Sequence, residues 1–299
     1  MSELYNKCMI IQKTLFLWII FLFDLKSLYS INLVKHFKEL GYLEICDKNH
    51  GTEKFDFLYA NFEKFIEFLQ TNRAWEQKLY SAKERFIRSK DRNYYSTDFF
   101  GFYDESKKKG RDQISFYYSI HFHEFICSNY PEFNKIPEIV SFFETCFEIQ
   151  KPYRNIFTEV ATELGLETIF SSKYNHPPIL LKIIKYLPSY VATSPHYDGT
   201  AFSLFLDSTD NQSLLLSSYK SLLTINDFYS PIRKFSRLLN QNSILLIPGI
   251  FLREFSIYPT PHIVAQNDKT RYATIAFAMR PNYTPQKNEF SLLPNFNIE

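Results

Sequence analysis

Glycine is scarce in this chain, with 7 in 299 residues. Gly41, Gly51, Gly101, Gly110, Gly165, Gly199 and Gly249 are all of it, and no two stand close enough for a GxGxxG or a Walker-type loop. Backbone amides cradle a phosphate only where glycines let the chain turn tightly, so nucleotide-binding folds of that kind are excluded. The serine elbow GxSxG is excluded on the same ground. Cysteine is sparse too: Cys8, Cys46, Cys127 and Cys146 are irregularly spaced and form no CxxC pair. A disulfide framework is not expected in a chain this large, which points to a reducing compartment and a cytoplasmic location. Cys46 and Cys146 read as small core hydrophobes. Charge of one sign is lacking as well. With 34 basic and 32 acidic residues the net charge is +2, so neither a nucleic-acid partner nor an acidic tail is expected. The densest basic run, KKKGR at 107–111, reads as a solvated loop.

Long hydrophobic runs are missing. TLFLWIIFLF at 14–23 is ten residues without a charge, whereas a membrane span needs about 20. Lys7 and Lys13 precede it as in a secretory leader, but the following DLKSLYS is charged and bulky where a cleavage site is small. A buried strand is the expectation, with no membrane contact. What the chain has in abundance is aromatic residues, 31 Phe and 21 Tyr, within a 45% hydrophobic composition. That is ample for a large core, built as one big domain or two small ones.

The two halves are patterned differently. Leu33, Phe37 and Leu40 stand at helical spacing before a short strand near residue 45. Residues 53–89 read as helical, since Phe57, Phe62, Phe65 and Phe68 recur at intervals of three to five, and 137–169 reads as one or two amphipathic helices. After Tyr174 come short apolar runs separated by turn signals: ILLKIIKYL, AFSLFL, SLLLSS, SILLIPG and RYATIAFAM. Several short strands at such spacing suggest a sandwich or jelly roll.

Within that second half, SPHYDGTAFSLFL at 194–206 places His196 and Asp198 two residues apart at the start of an apolar run. Residues i and i+2 of a strand point to one side, so the pair can offer two metal ligands together. Histidine and carboxylate suit Fe(II), and non-haem iron oxygenases hold it with two histidines and one carboxylate. His262, in YPTPHIV, is the candidate second histidine. Arg271 then opens RYATIAFAM; a guanidinium in an apolar strand needs a partner, and its planar fork suits a carboxylate. Each residue alone has a plainer reading: a polar strand start, a loop histidine, a surface arginine. Their order beside successive strands is what makes the set specific. A rival cluster, His121, His123 and Glu124 in YYSIHFHEF, has no third ligand at a helpful distance.

With these residues in hand, the chain resembles the isopenicillin N synthase-like, 2-oxoglutarate- and Fe(II)-dependent oxygenase superfamily over most of its length. FLFDLKSL at 21–28 is similar to the family's leading strand, and LVKHFKELGYLEICDKNHG at 33–51 to its N-terminal helix, strand and His-Gly turn. DQISFYYSI at 112–120, ATELGLE at 161–167, LKIIKYLP, SPHYDGTAFSLFL and TPHIV through Arg271 follow in the family's order. The resemblance implies that His196, Asp198 and His262 are the iron ligands. It implies that Arg271 clamps the distal carboxylate of 2-oxoglutarate, that Tyr186 hydrogen-bonds this co-substrate, and that Lys182, on the same strand face, is a third co-substrate-binding residue. Three positions depart from the family pattern. Arg-x-Ser is here Arg271-Tyr272-Ala273, the polar residue two before the tyrosine is Ile184, and the residue after the distal histidine is Ile263. Thr274 cannot stand in for the missing hydroxyl, because it points to the opposite face of a regular strand.

The expected fold is therefore α+β with a mainly β core, a distorted double-stranded β-helix (jelly roll) with helical N-terminal support. A single oxygenase domain is expected over 1–299. It comprises a helix-rich region at 1–173, the iron-bearing core at 174–285 and a tail at 286–299. The expected activity is that of a dioxygenase using Fe(II), O2 and 2-oxoglutarate to hydroxylate, desaturate or cyclise a small molecule, acting as a monomer. Ala273 and Ile184 keep open an Fe(II)/O2 oxidase without 2-oxoglutarate. A non-catalytic ligand- or protein-binding relative is the third reading.

Overall fold

In the computed structural model, all five apolar runs of the second half are strands. The residues described are 37, 39–46, 51–90, 94–95, 99–106, 112–170, 177–188, 196–209, 214–217, 243–264 and 268–281. The expectations for 14–23, 21–28, 107–111 and the tail lie outside them. The five strands are β4 (Ile179–Tyr186), β5 (Phe202–Ser208), β6 (Leu214–Leu216), β7 (Ser243–Pro248) and β9 (Arg271–Ala278). Between the last two lies β8 (His262–Val264).

The region before residue 173 supplies more than helices. It adds β1 (Leu43–Cys46), β2 (Gly101–Asp104) and β3 (Gln113–Tyr118) to the same sheet, whose order is β1-β7-β5-β9-β4-β3-β2. All its pairings are antiparallel. A second, two-stranded sheet joins β6 to β8. The helices are α1 (Thr52–Thr71), α2 (Arg73–Ile87), α3 (Ile120–Asn129), α4 (Pro137–Gln150) and α5 (Arg154–Glu163). The helical stretch read at 53–89 is thus two helices, and the one at 137–169 is two joined by a 3-10 turn at Lys151–Tyr153. The break at Asn72 has a local cause: its side-chain amide and its own N–H both donate to the Phe68 carbonyl, closing the helix end.

One face of the large sheet is covered by α1 and α4. Phe55, Leu58, Phe62, Phe65, Ile66 and Leu69 of α1 recur at helical spacing and are all buried. Phe65 stacks on Phe142 of α4 at 4.6 Å and meets Phe116 of β3 edge-on at 5.4 Å, geometries that aromatic quadrupoles favour. Polar groups on this face are matched to the helix. Tyr59 donates to Asp207 Oδ2 (2.9 Å) and accepts from Thr274 Oγ1 (3.1 Å). Glu63 takes Lys185 Nζ (2.6 Å) and the Tyr272 hydroxyl (2.5 Å). Thr274 therefore does point away from the strand face that carries Arg271, as the two-residue strand period requires.

The alternate residues of the central strands face the other way. Cross-strand pairs Tyr186–Arg271, Ile184–Ala273 and Lys182–Ile275 line that second face on β4 and β9, and Gln113, Ser115 and Tyr117 continue it on β3. One glycine fastens the N-terminal turn to this side of the molecule. Gly41 has φ +77°, a conformation that a side chain would strain, and its carbonyl accepts the Thr260 hydroxyl. Among the described residues no helix is long and apolar enough to cross a membrane.

Candidate metal centre and co-substrate pocket

His196 and His262 form an antiparallel bridge, each backbone N–H donating to the other's carbonyl at 3.1 Å. Residues so paired hold their side chains side by side on one face, and the two imidazole rings lie 4.2 Å apart between centres. Asp198, two residues after His196, completes the cluster. Its Oδ1 is 3.9 Å from His196 Nε2 and 3.7 Å from His262 Nε2. All three ligand atoms lie within 4.8 Å of one another. Both carboxylate–imidazole distances fall below twice a metal–ligand bond of about 2.1 Å, so one first-row ion can touch the carboxylate together with either imidazole. Two imidazole nitrogens and a carboxylate oxygen are a borderline donor set that suits Fe(II).

The supporting contacts fix which atoms face the centre. His262 Nδ1 lies 3.2 Å from the Thr260 carbonyl. A carbonyl only accepts, so Nδ1 carries the proton and the Nε2 lone pair is left for a metal. The Ser203 hydroxyl donates to Asp198 Oδ2 at 2.6 Å. Thr200 Oγ1 is 3.1 Å from Ser203 Oγ and, with the serine proton committed to the carboxylate, acts as donor there. The Asp198 carboxyl is pulled two ways. Burial raises its pKa, but His262, His196, the Ser203 hydrogen bond and Lys182 outweigh burial and hold it below the ordinary carboxylate value.

The segment between His196 and β5 is not a strand, contrary to the expectation that a strand starts at the motif itself. His196 makes only the isolated bridge, β5 begins at Phe202, and the turn between them is clasped by the residues after β7. Gly249 N donates to Ala201 O (2.8 Å), Ile250 N to Asp198 O (3.0 Å) and Phe251 N to Thr200 O (3.1 Å). The clasp works because Gly249 has no side chain: a Cβ there would fall 2.1 Å from the Thr200 carbonyl oxygen.

Arg271 is buried, 2% exposed, rather than a surface charge. Its guanidinium lies 4.6 Å from the centre of the Tyr186 ring, directly across β4, a cation–π contact that orients the fork. Ile184 and Ala273 form the next pair along, and both are buried. Lys182 follows, with its ammonium 5.1 Å from the centre of the Tyr117 ring. Burial lowers its pKa, but Tyr117, Tyr186 and Asp198 more than reverse this, and Lys182 stays an ammonium.

The rival histidines are placed elsewhere. His121 and His123 lie on α3, where the Nδ1 atoms sit 3.0 Å from the hydroxyls of Tyr95 and Tyr118 respectively. Burial lowers the His123 pKa. Among the described residues the triad is the one His/Cys/Asp/Glu group with this convergence. Sequence reasoning missed Ser203, Thr200, Thr260 and Gly249. No spacing rule marks them, because each acts through a contact the fold creates.

No family model matches the chain, and no curated protein matches it. Solved structures do. The dioxygenase for auxin oxidation 1 from Arabidopsis thaliana, bound to 2-oxoglutarate, superposes with a TM-score of 0.54 at 15% identity, covering 89% of this chain and 94% of that one. This chain has the fold of the 2-oxoglutarate/Fe(II) oxygenases. JOX2 in complex with 2OG, Fe and JA gives a TM-score of 0.52 at 15% identity, over 90% of this chain and 77% of the other. A full-length Neurospora crassa protein in complex with alpha-KG gives 0.51 at 13% identity, over 90% and 87%.

Proposed function

We propose that this protein is a non-haem Fe(II)-dependent dioxygenase that uses 2-oxoglutarate and O2 to oxidise a small organic molecule. The observation that carries the proposal is the convergence of His196 Nε2, Asp198 Oδ1 and His262 Nε2. These three residues would hold Fe(II), which, when bound, would offer further coordination positions to a co-substrate and O2. Arg271 takes the distal carboxylate of 2-oxoglutarate, with Tyr186 orienting the guanidinium. Iron and the oxo acid, when bound together with O2, supply the oxidising power for hydroxylation, desaturation or ring closure at an unactivated C–H bond. The chain supplies orientation and apolar neighbours: Ile184 and Ala273 pair next to Tyr186–Arg271, and the Phe205 ring lies 6.0 Å from that of His262. The two sheets are read as the walls of a distorted double-stranded β-helix within one domain. A monomer in the cytoplasm is the working assignment.

A second reading drops the oxo acid and keeps Fe(II) and O2. The apolar Ile184–Ala273 pair beside Arg271 favours it, since two hydrogen-bonding positions of the co-substrate pocket are hydrocarbon here. Anaerobic addition of Fe(II) and then 2-oxoglutarate distinguishes the two. The first reading expects a visible charge-transfer band and its loss in His196→Ala. Succinate production that survives His196→Ala would sink it. Substrate turnover by the iron-loaded protein without any oxo acid would move the assignment to the second.

A further inference from the structure

Strand β5 breaks its own alternation once. Phe202 to Phe205 pair with Ala278 to Ile275 of β9, but the register then shifts, so that Asp207 pairs with Thr274 and Ser208 with Ala273. Leu206 is the extra residue of a β-bulge. Ser203 and Phe205 lie on the sheet face of the metal cluster, where Ser203 donates to Asp198 and the Phe205 ring meets that of His262. In an unbroken strand Asp207, two residues further on, would share that face. It would stand opposite Ala273 and diagonal to Arg271, within reach of so long a side chain. The bulge turns Asp207 to the α1 side instead and gives its place to Ser208.

Tyr59 of α1 holds that arrangement. Its hydroxyl donates to Asp207 Oδ2 at 2.9 Å and accepts from Thr274 Oγ1 at 3.1 Å. One phenol thus grips both members of the first pair beyond the bulge. All three residues are buried, Asp207 at 5% exposure. A slip of one residue in a strand moves each side chain to the opposite face. A carboxylate brought beside a guanidinium takes its planar fork. A slipped β5 would therefore set Asp207 against any incoming carboxylate at Arg271.

We propose that Tyr59 is a positioning residue for the carboxylate clamp. By holding the Leu206 bulge it keeps the charge of Asp207 behind the sheet and presents the neutral Ser208 beside Ala273, so that Asp207 does not compete with an incoming carboxylate for Arg271. This rests on the reading of Arg271 as the clamp of the oxo acid, which it deepens by naming what protects the clamp. Tyr59 lies on the opposite face of the sheet and acts through the register of β5. When part of the population slips, the apparent affinity for the oxo acid falls with the fraction that stays bulged.

The test uses the full chain under anaerobic conditions with Fe(II), titrated with 2-oxoglutarate or with 2-oxobutyrate, which lacks the distal carboxylate. Tyr59→Phe keeps the ring that stacks on Tyr272 at 5.0 Å and removes only the hydroxyl. It is expected to weaken 2-oxoglutarate by about tenfold or more, the range of one hydrogen bond to a charged group, and to leave 2-oxobutyrate within about twofold. Adding Asp207→Asn to Tyr59→Phe is expected to return 2-oxoglutarate to within about twofold of wild type, while the urea midpoint of unfolding stays lowered. Should Tyr59→Phe fail to fold, Thr274→Val, with and without Asp207→Asn, carries the same comparison. An unchanged 2-oxoglutarate midpoint overturns the inference. So does equal weakening of both oxo acids, or a double variant as weak as the single one, since either result makes Tyr59 a support of the fold alone. Absence of a charge-transfer band in the wild type refutes the iron reading. Calorimetry of glutarate binding to the metal-free variants then decides the role of Tyr59: loss in Tyr59→Phe with recovery in the double variant supports it, and glutarate that binds all variants alike, or none, overturns it.

Discussion

Removing the Ser203 hydroxyl tests whether the Asp198 cluster is organised for a metal. In the Ser203→Ala variant, Asp198 Oδ2 loses a 2.6 Å donor. Ser203 is 0% exposed, so bulk water has no direct route to replace it. A hydrogen bond to a charged group contributes about 1.5–3 kcal/mol, which converts to roughly ten- to 150-fold in affinity. Loss of a contact that orients a ligand typically weakens metal binding by about 10–100-fold, and the two estimates overlap. The main chain of β5 is unaffected, since Ser203 pairs with Ile247 and Phe277 through its backbone. Competition titration with Fe(II) or Co(II) measures the loss. The pH dependence gives an independent check. Asp198 is held below its ordinary value of 3.8, so its ionisation favours the folded state above that pH, and the benefit fades as pH falls through the lower folded value. Without Ser203 the carboxyl pKa rises, that benefit shrinks, and protons compete with the metal at higher pH. A Ser203→Ala protein with wild-type metal affinity and an unmoved pH profile would refute the reasoning.

Ala273→Ser restores a hydroxyl on the strand face beside Arg271. It is expected to tighten 2-oxoglutarate by roughly tenfold to 150-fold at most, the range of one hydrogen bond to a charged carboxylate, read as a lower midpoint of the charge-transfer titration. No change or weaker binding would favour the oxidase reading. Gly249→Ala puts a Cβ within 3.0 Å of three Thr200 atoms, two of them backbone. Because the clasp at 249–251 also holds the Asp198 carbonyl, it is expected to cost about 1–3 kcal/mol or more in urea denaturation and to weaken metal binding at the same time. Wild-type stability with normal metal affinity would show that the turn relaxes freely.

Hydrophobic period and residue type alone locate most of the architecture. The five apolar runs after Tyr174 are strands, and the phenylalanine spacing of 53–69 is a helix, because both signals are local and survive without tertiary context. The triad was legible for a related reason: His196 and Asp198 are close in the chain, and His262 and Arg271 each begin an apolar strand. Other features were decided only by the folded chain. A four-residue segment such as Gly101–Asp104 carries too little pattern to announce itself, and becomes a strand because Gln113–Tyr118 offers it an edge. Ser203 and Thr260 are ordinary polar residues until the turn clasped at Gly249 and the bridge at His196–His262 aim them at Asp198 and His262. Lys182 and Tyr117 are 65 residues apart and meet only through sheet register. Local side-chain chemistry thus determined which elements form and which residues can bind a metal. Long-range strand pairing decided which of them face one another, and with that the geometry on which the proposed oxidation depends.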